Sequence, residues 1–295
     1  MTVMGDLQQE VARVTAATGE SVVVVGRDGR GGGVVVADGY VLTNAHNLRG
    51  AEITVTFAGG RRATGSVRGI DADGDLAVVG VETGTAPVPA WADAGPGAGA
   101  VVYAVARASG GSPRVSAGMV SAVDQAFRGP QGRLVHQAFE HTAPLGRGSS
   151  GTPVVDGQGR VLGLNTHRLG DGFYLAVPAG PDLRSRVDAL ISGVSPQQLH
   201  LGVALVPPHI AGRMRASVGL PPHDGLLVRG VEPEGPAATA GVTAGDLLIE
   251  AGGTALASMD DLHTVLAGHD ATTALEVKLL RGAEEVTVSI SFPPG

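Results

Sequence analysis

Short β-branched runs broken by glycine constrain this chain more than any other feature of its sequence. SVVVVGR, GGGVVVADG, YVLTNA, AEITVTF, RRATGSVRGI and DLAVVGVE follow one another, and VVYAVAR, RVSAGMVSAV, RLVHQAF, GTPVVD, RVLGLNT and FYLAVPA continue the pattern. Strands this short and this closely spaced, separated by turn residues, predict an all-β barrel or sandwich over the first 180 or so residues. Glycine supplies the turns: 47 of 295 residues is well above the usual share of about 7%. No G-X-Y period accompanies it, which excludes a collagen-like chain. Helices are predicted over residues 5–18, where Leu7, Val11 and Val14 share a face, and over 181–193, with Pro181 in the first turn and Gly193 at the end.

The last hundred residues read differently. LGVAL, GLLVRGV, DLLIEAGG, ALEVKLLRG and EVTVSISF predict strands. A short helix is expected at 236–241 and a longer one at 259–267, where Ser258 and Asp261 have capping-box spacing. Charge changes at the same point: residues 1–195 hold 16 basic and 17 acidic side chains, residues 196–295 hold 5 and 11. The expected organisation is a domain over 1–193, a linker at 194–198 and a mixed α/β domain over 199–295.

Several function classes are excluded by composition. The chain has no cysteine, so it has no disulfide and no thiolate nucleophile. No His-x-His or H-E-x-x-H spacing occurs, and no metal or other cofactor is expected. No basic stripe suggests nucleic acid. No apolar run of about 18 residues suggests a membrane span, and the first twenty residues do not read as a signal peptide. The expected location is therefore the cytoplasm, unless an export signal has been trimmed. G-R-G-G-G at 29–33 precedes no helix and is expected to be a hairpin loop.

Three segments carry chemistry, in the order His, Asp, Ser: T-N-A-H ending at His46, D-G-D-L-A-V-V containing Asp75, and G-R-G-S-S-G-T-P ahead of a strand, containing Ser150. A serine hydroxyl becomes a nucleophile when an imidazole takes its proton. The imidazole needs a carboxylate to fix its tautomer, and the oxyanion needs backbone N–H donors, which Gly148, Ser149 and Ser150 can supply. Asp71 and Asp73 compete with Asp75, and Ser149 competes with Ser150; position before the apolar run favours Asp75, and the G-x-S-G arrangement favours Ser150. His136 and His141 are expected chiefly as solvated residues, with pocket lining the alternative for His141. His167 and His263 are weaker candidates for substrate and peptide contact.

These blocks resemble the HtrA/Deg family of trypsin-like serine proteases. G-L-N-T at 163–166 and G-F-Y-L-A-V-P at 172–178 are similar to its substrate-pocket strands, and H-L-G-V at 200–203, G-L-L-V-R-G-V at 225–231 and P-A-A-T-A-G-V-T-A-G-D-L-L-I at 236–249 to its PDZ domain. The resemblance implies a double β-barrel of trypsin type followed by a PDZ domain, with His46, Asp75 and Ser150 as the triad. It implies a substrate pocket of Leu145, Asn165, Thr166, Phe173, Tyr174 and Leu175. Pro144 would lie at the pocket base, and Leu145 with the 172–177 strand suggests a small aliphatic substrate side chain. It further implies peptide capture by His200, Leu201, Gly202, Val203, Leu262 and Leu266, with a peptide C-terminus as ligand. The expected partners are polypeptide substrates and peptide C-termini, and by resemblance a homotrimer. The expected function is hydrolysis of unfolded or exposed segments. The alternative is a protease-fold scaffold, catalytically impaired or latent, that acts mainly through its PDZ domain. That alternative turns on Thr152, which stands where the family pattern has glycine and would be strained at positive φ.

Overall fold

The β-branched runs pair in antiparallel ladders. In the computed structural model, which describes residues 3–27, 29–108, 111–128, 134–195 and 199–292, these ladders close into two barrels, with a separate open sheet after them. The chain divides into two compact units, residues 1–196 and 197–295.

In the first unit, strands β1 (Val22–Val25), β2 (Gly31–Ala37), β3 (Tyr40–Thr43), β4 (Glu52–Thr56), β5 (Arg62–Asp71) and β6 (Leu76–Gly80) close in the order β1-β2-β3-β6-β5-β4. The second barrel repeats the plan with β7 (Val101–Arg107), β8 (Pro113–Arg128), β9 (Leu134–His141), β10 (Pro153–Val155), β11 (Val161–Gly170) and β12 (Phe173–Pro178), in the order β10-β11-β12-β9-β8-β7. Closure leaves no unpaired strand edge. Side chains alternate across each strand, so one strand serves two cores. Val35, Val41 and Val79 fill the first barrel with Ile53, Val55 and Phe57. Their neighbours Val34, Leu42 and Val78 face the other way, into a seam with Leu164, Leu175 and Val177 of the second barrel.

Two helices flank the barrels. Helix α1 (Val3–Thr18) lays Val11 and Val14 against Tyr103, Val105 and Val161. Its Glu10 accepts a 2.5 Å hydrogen bond from the Tyr103 hydroxyl, and burial together with this carboxylate pushes the phenol up to about 12. Helix α2 (Pro181–Ser192) buries Leu183, Val187 and Leu190 and ends at Gly193 in the left-handed region.

The expected hairpin loop at 29–33 is shorter than its glycines suggest, because Gly31, Gly32 and Gly33 belong to β2 and pair with β1. A Cβ at Gly31 would collide with the Asn47 amide, and one at Gly32 with the Thr152 methyl. Those glycines make room for a close approach rather than for a turn.

The second unit is a sheet of six strands: β13 (Val203–Val206), β14 (Leu226–Val231), β15 (Leu247–Ala251), β16 (Thr254–Ala255), β17 (Leu275–Arg281) and β18 (Glu284–Ile290). Helices α3 (Pro208–Ser217), α4 (Pro236–Thr239) and α5 (Met259–Gly268) accompany it. Both halves of the expected capping box form: Ser258 Oγ accepts from the Asp261 N–H at 3.3 Å, and Asp261 Oδ2 accepts from the Ser258 N–H at 2.6 Å. Helix α3 was not expected from the sequence. Gly212 interrupts it and its apolar period is weak, but Pro208 begins it and the buried Arg215 side chain ties it to the carbonyls of Pro221 and Gly282. Residues 196–198 of the expected linker lie outside the described residues.

Candidate active site

Loops at the seam between the barrels carry all three expected catalytic residues. His46 lies in a single helical turn after β3, Asp75 immediately before β6, and Ser150 in the turn before β10. Asp75 holds φ 54°, a left-handed conformation that aspartate tolerates better than most residues. Its carboxylate is fully buried and fully engaged: Oδ2 lies 2.7 Å from His46 Nδ1 and accepts from Thr166 Oγ1 at 2.9 Å, while Oδ1 accepts from the His46 N–H at 3.1 Å. The carboxylate therefore holds the ring at Nδ1 and leaves Nε2 on the side away from Asp75. Asp71, one of the two competitors of Asp75, is engaged elsewhere: it pairs with Arg186 of α2 and accepts from the Gly74 N–H at 2.8 Å.

Ser150 is held through its backbone. Its carbonyl accepts from the Gly32 N–H at 2.8 Å and from Asn47 Nδ2 at 2.9 Å. Its hydroxyl donates to the Thr166 carbonyl at 2.8 Å. Gly148 and Gly151 hold φ 79° and 88°, and a Cβ at either would collide with a β1–β2 backbone carbonyl, of Gly29 and Gly32 respectively. Among the described residues, none accepts from the N–H groups of Gly148, Ser149 or Ser150. These donors remain open at the surface of the turn.

Thr152 is not strained. The non-glycine residues at positive φ are Asp75, Asp124, Gln137, Asp171 and Glu234, and Thr152 is not among them. Its methyl fills the space that Gly32 vacates, and its hydroxyl donates to the Ser149 carbonyl at 2.7 Å.

His141, expected chiefly as solvated, is completely buried. It begins a chain of hydrogen bonds that ends at the nucleophile turn. The Ala143 N–H donates to Nδ1 at 3.3 Å and Nε2–H donates to Asn165 Oδ1 at 2.8 Å; Asn165 Nδ2 then donates to the carbonyl and hydroxyl of Thr152 at 3.0 and 3.2 Å. Burial holds the His141 pKa below the usual imidazole range, and this pattern requires the neutral ring. His167 stands edge-on to His46 at 6.0 Å and packs on Phe127 at 4.8 Å. Its pKa is also lowered, by burial first, with the Asp75 charge opposing and the His46 charge adding to the effect.

A cavity of about 130 Å³ adjoins Ser150. Leu145, Asn165, Thr166 and Tyr174 of the expected pocket line it. Phe173 and Leu175 do not, because alternation along β12 turns them away from Tyr174: Phe173 is exposed, and Leu175 is buried in the seam. Sequence reasoning missed Arg147 and Arg168, which line the same cavity. Neither carries a motif signal; only the position of Arg147 in the nucleophile turn, and of Arg168 two residues after Thr166, could have drawn attention to them.

In the second unit, β13 is an edge strand. His200 is exposed, Leu201 is buried, and Gly202 holds φ 72° in the turn that leads into Val203. Among the described residues, none accepts from the N–H groups of Leu201 and Gly202. Leu262 and Leu266 are buried in the domain core, because they are the face by which α5 packs on the sheet. Among the described residues, no cluster of His, Asp and Glu could hold a metal ion, and no helix is long and apolar enough to cross a membrane.

Comparison with known proteins agrees with this architecture. Residues 31–164 match the family model of the trypsin-like peptidase domain, and residues 193–292 that of the PDZ domain. A probable periplasmic serine endoprotease, DegP-like, of Halomonas elongata is 28% identical over 270 residues, 88% of this chain and 55% of that one. A protein of the same description from Brucella suis is 30% identical over 281 residues, 90% of this chain and 53% of that one. The putative serine protease HhoB of Synechocystis is 29% identical over 282 residues, 90% and 67% of the two chains. The chain spans little more than half the length of the first two relatives. Among solved structures, the HtrA-type protease AlgW with a decapeptide has a TM-score of 0.72 at 22% identity, covering 97% of this chain and 99% of that one, and the serine endoprotease from Yersinia pestis a TM-score of 0.69 at 24% identity, covering 95% and 96%. The chain therefore carries a trypsin-like peptidase domain followed by a PDZ domain, and over most of its length it is similar to serine endoproteases of the DegP type.

Proposed function

We propose that this chain is a serine-type endopeptidase that uses Ser150 as nucleophile, His46 as general base and then acid, and Asp75 as the orienting carboxylate. The observation that carries the reading is the bonding of Asp75, whose buried carboxylate holds His46 Nδ1 at 2.7 Å and is itself held by Thr166 beside the nucleophile turn. In the reaction, the Ser150 hydroxyl leaves the Thr166 carbonyl, gives its proton to His46 Nε2 and attacks the peptide carbonyl. The N–H groups of Gly148 and Ser150 receive the oxyanion. His46 returns the proton to the leaving amine, and water then hydrolyses the acyl-enzyme with His46 again as base.

The substrate class is an extended segment of an unfolded or exposed polypeptide, the form that can present one side chain at a time to a cavity of about 130 Å³. The PDZ domain captures peptide C-termini, with the carboxylate on the open N–H groups of Leu201 and Gly202 and the peptide added as a strand beside β13. The test is incubation of an unfolded protein with wild-type chain and with Ser150→Ala. Fragmentation by the wild type alone supports the reading; equal fragmentation by both removes Ser150 as nucleophile.

A further inference from the structure

Arginines surround the cavity beside the nucleophile. Arg147 rises from the nucleophile turn and Arg168 from β11, and both line the cavity. The Arg168 guanidinium lies over the Tyr174 ring, 5.8 Å from its centroid, and the Tyr174 hydroxyl donates to the Leu145 carbonyl at 3.2 Å. Arg168 and the ring it covers both line the cavity. Arg114 of β8 approaches the same turn: a Cβ at Gly146 would lie 3.9 Å from its Nη1.

Among the described residues, none of these three arginines has a carboxylate partner. Other arginines of the unit are paired, Arg186 with Asp71, Arg160 with Asp156 and Arg184 with Asp93. The unit as a whole is close to neutral, so the uncompensated positive charge is local. Arginine also lines a second cavity, of about 770 Å³, to which Arg27, Arg30 and Arg49 contribute, with Glu52 as its acidic residue among the described residues. The loop that contributes Arg27 and Arg30 also sets the Gly29 carbonyl against Gly148.

Resting on the endopeptidase reading, we infer that the enzyme is selective for acidic segments and that the Arg147–Arg168 cavity takes a glutamate or aspartate side chain at the residue whose carbonyl is attacked. A carboxylate meets guanidinium donors in charge-assisted and often bidentate hydrogen bonds, while Leu145 and the Tyr174 ring cover its methylene stem. The small aliphatic side chain suggested by Leu145 and the 172–177 strand would leave these guanidinium groups without a carboxylate partner. A basic side chain would be repelled.

The test uses the full chain and fluorogenic peptides that differ only at that residue: Glu, its isostere Gln, Val and Lys. The Glu peptide is expected to be cut with kcat/KM at least about tenfold above Gln and Val, with the ratio falling as salt is added. Arg168→Gln is expected to lower the Glu-to-Gln ratio by about fivefold or more, and Arg168→Glu to shift preference toward Lys. Equal cleavage of Glu and Gln, or a ratio unmoved by Arg147→Gln and by both Arg168 variants, overturns the inference. Fluorophosphonate labelling of the same preparations separates two failures. A labelled enzyme without acidic preference overturns the pocket assignment alone; an unlabelled chain that cuts nothing overturns the endopeptidase reading and the acidic pocket with it.

Discussion

Asp71 and Asp75 lie four residues apart and do opposite work. Asp75 orients an imidazole, and Asp71 ties the 71–75 turn to α2 through Arg186. Asp75→Asn is expected to lower kcat by about 10⁴, because an amide permits the wrong imidazole tautomer. Asp71→Asn is expected to cost about 2 kcal/mol of stability, through a weakened charged hydrogen bond, and to change kcat by less than about twofold. Steady-state kinetics and urea unfolding on both variants check the contrast. Thr152 carries the second prediction. Restoring the family's glycine with Thr152→Gly removes two hydrogen bonds and a methyl contact that suit the backbone already present. It is expected to destabilise by about 1–2 kcal/mol without raising kcat; a more active variant would mean that threonine strains the turn after all.

His141 supplies a pH dependence at the same scale. Its folded pKa is depressed below 6.5 by burial, so below pH 6.5 the unfolded chain takes up a proton that the folded chain refuses. Stability from the neutral ring is full above that pH and is lost as pH falls from 6.5 toward the folded pKa. His141→Gln is expected to be less stable than wild type at pH 8 and to lose less further stability between pH 6.5 and 5. Urea midpoints across that range measure the two slopes, and parallel slopes would contradict the assignment.

Among the elements, those with a local signal were legible in sequence. Helix α5 declares itself through Ser258 and Asp261, and α2 through Pro181 and Gly193. Ser258→Ala is expected to cost the second unit about 1 kcal/mol, read from its unfolding transition. His46, Asp75 and Ser150 stood out in sequence because each lies close to a recognisable strand. What depends on strands far apart in sequence was not legible. Thr166 was placed in the pocket, but its bond to Asp75 arises only because β11 of one barrel passes the end of β3 in the other. His141 sits on an alternating strand whose far face is a barrel interior, a fact that no local pattern carries. Helix α3 escaped notice because its anchor is the buried Arg215, which is polar and so silent in an apolar period.

At the scale of the whole molecule, two closed barrels explain how a chain so rich in glycine brings His46, Asp75 and Ser150 together. Each barrel pairs its strand edges through closure, and the loops that meet at the seam need only their special turns: Gly148 and Gly151 beside Ser150, and Asp75 at its left-handed bend. The account requires that this seam deliver a nucleophilic Ser150 even though its hydroxyl rests on the Thr166 carbonyl. Intact-mass detection of fluorophosphonate labelling tests that requirement most directly. Stoichiometric labelling of the wild type, none of Ser150→Ala and strongly slowed labelling of Asp75→Asn is the predicted result. An unlabelled wild type, or a labelled Ser150→Ala, would contradict it.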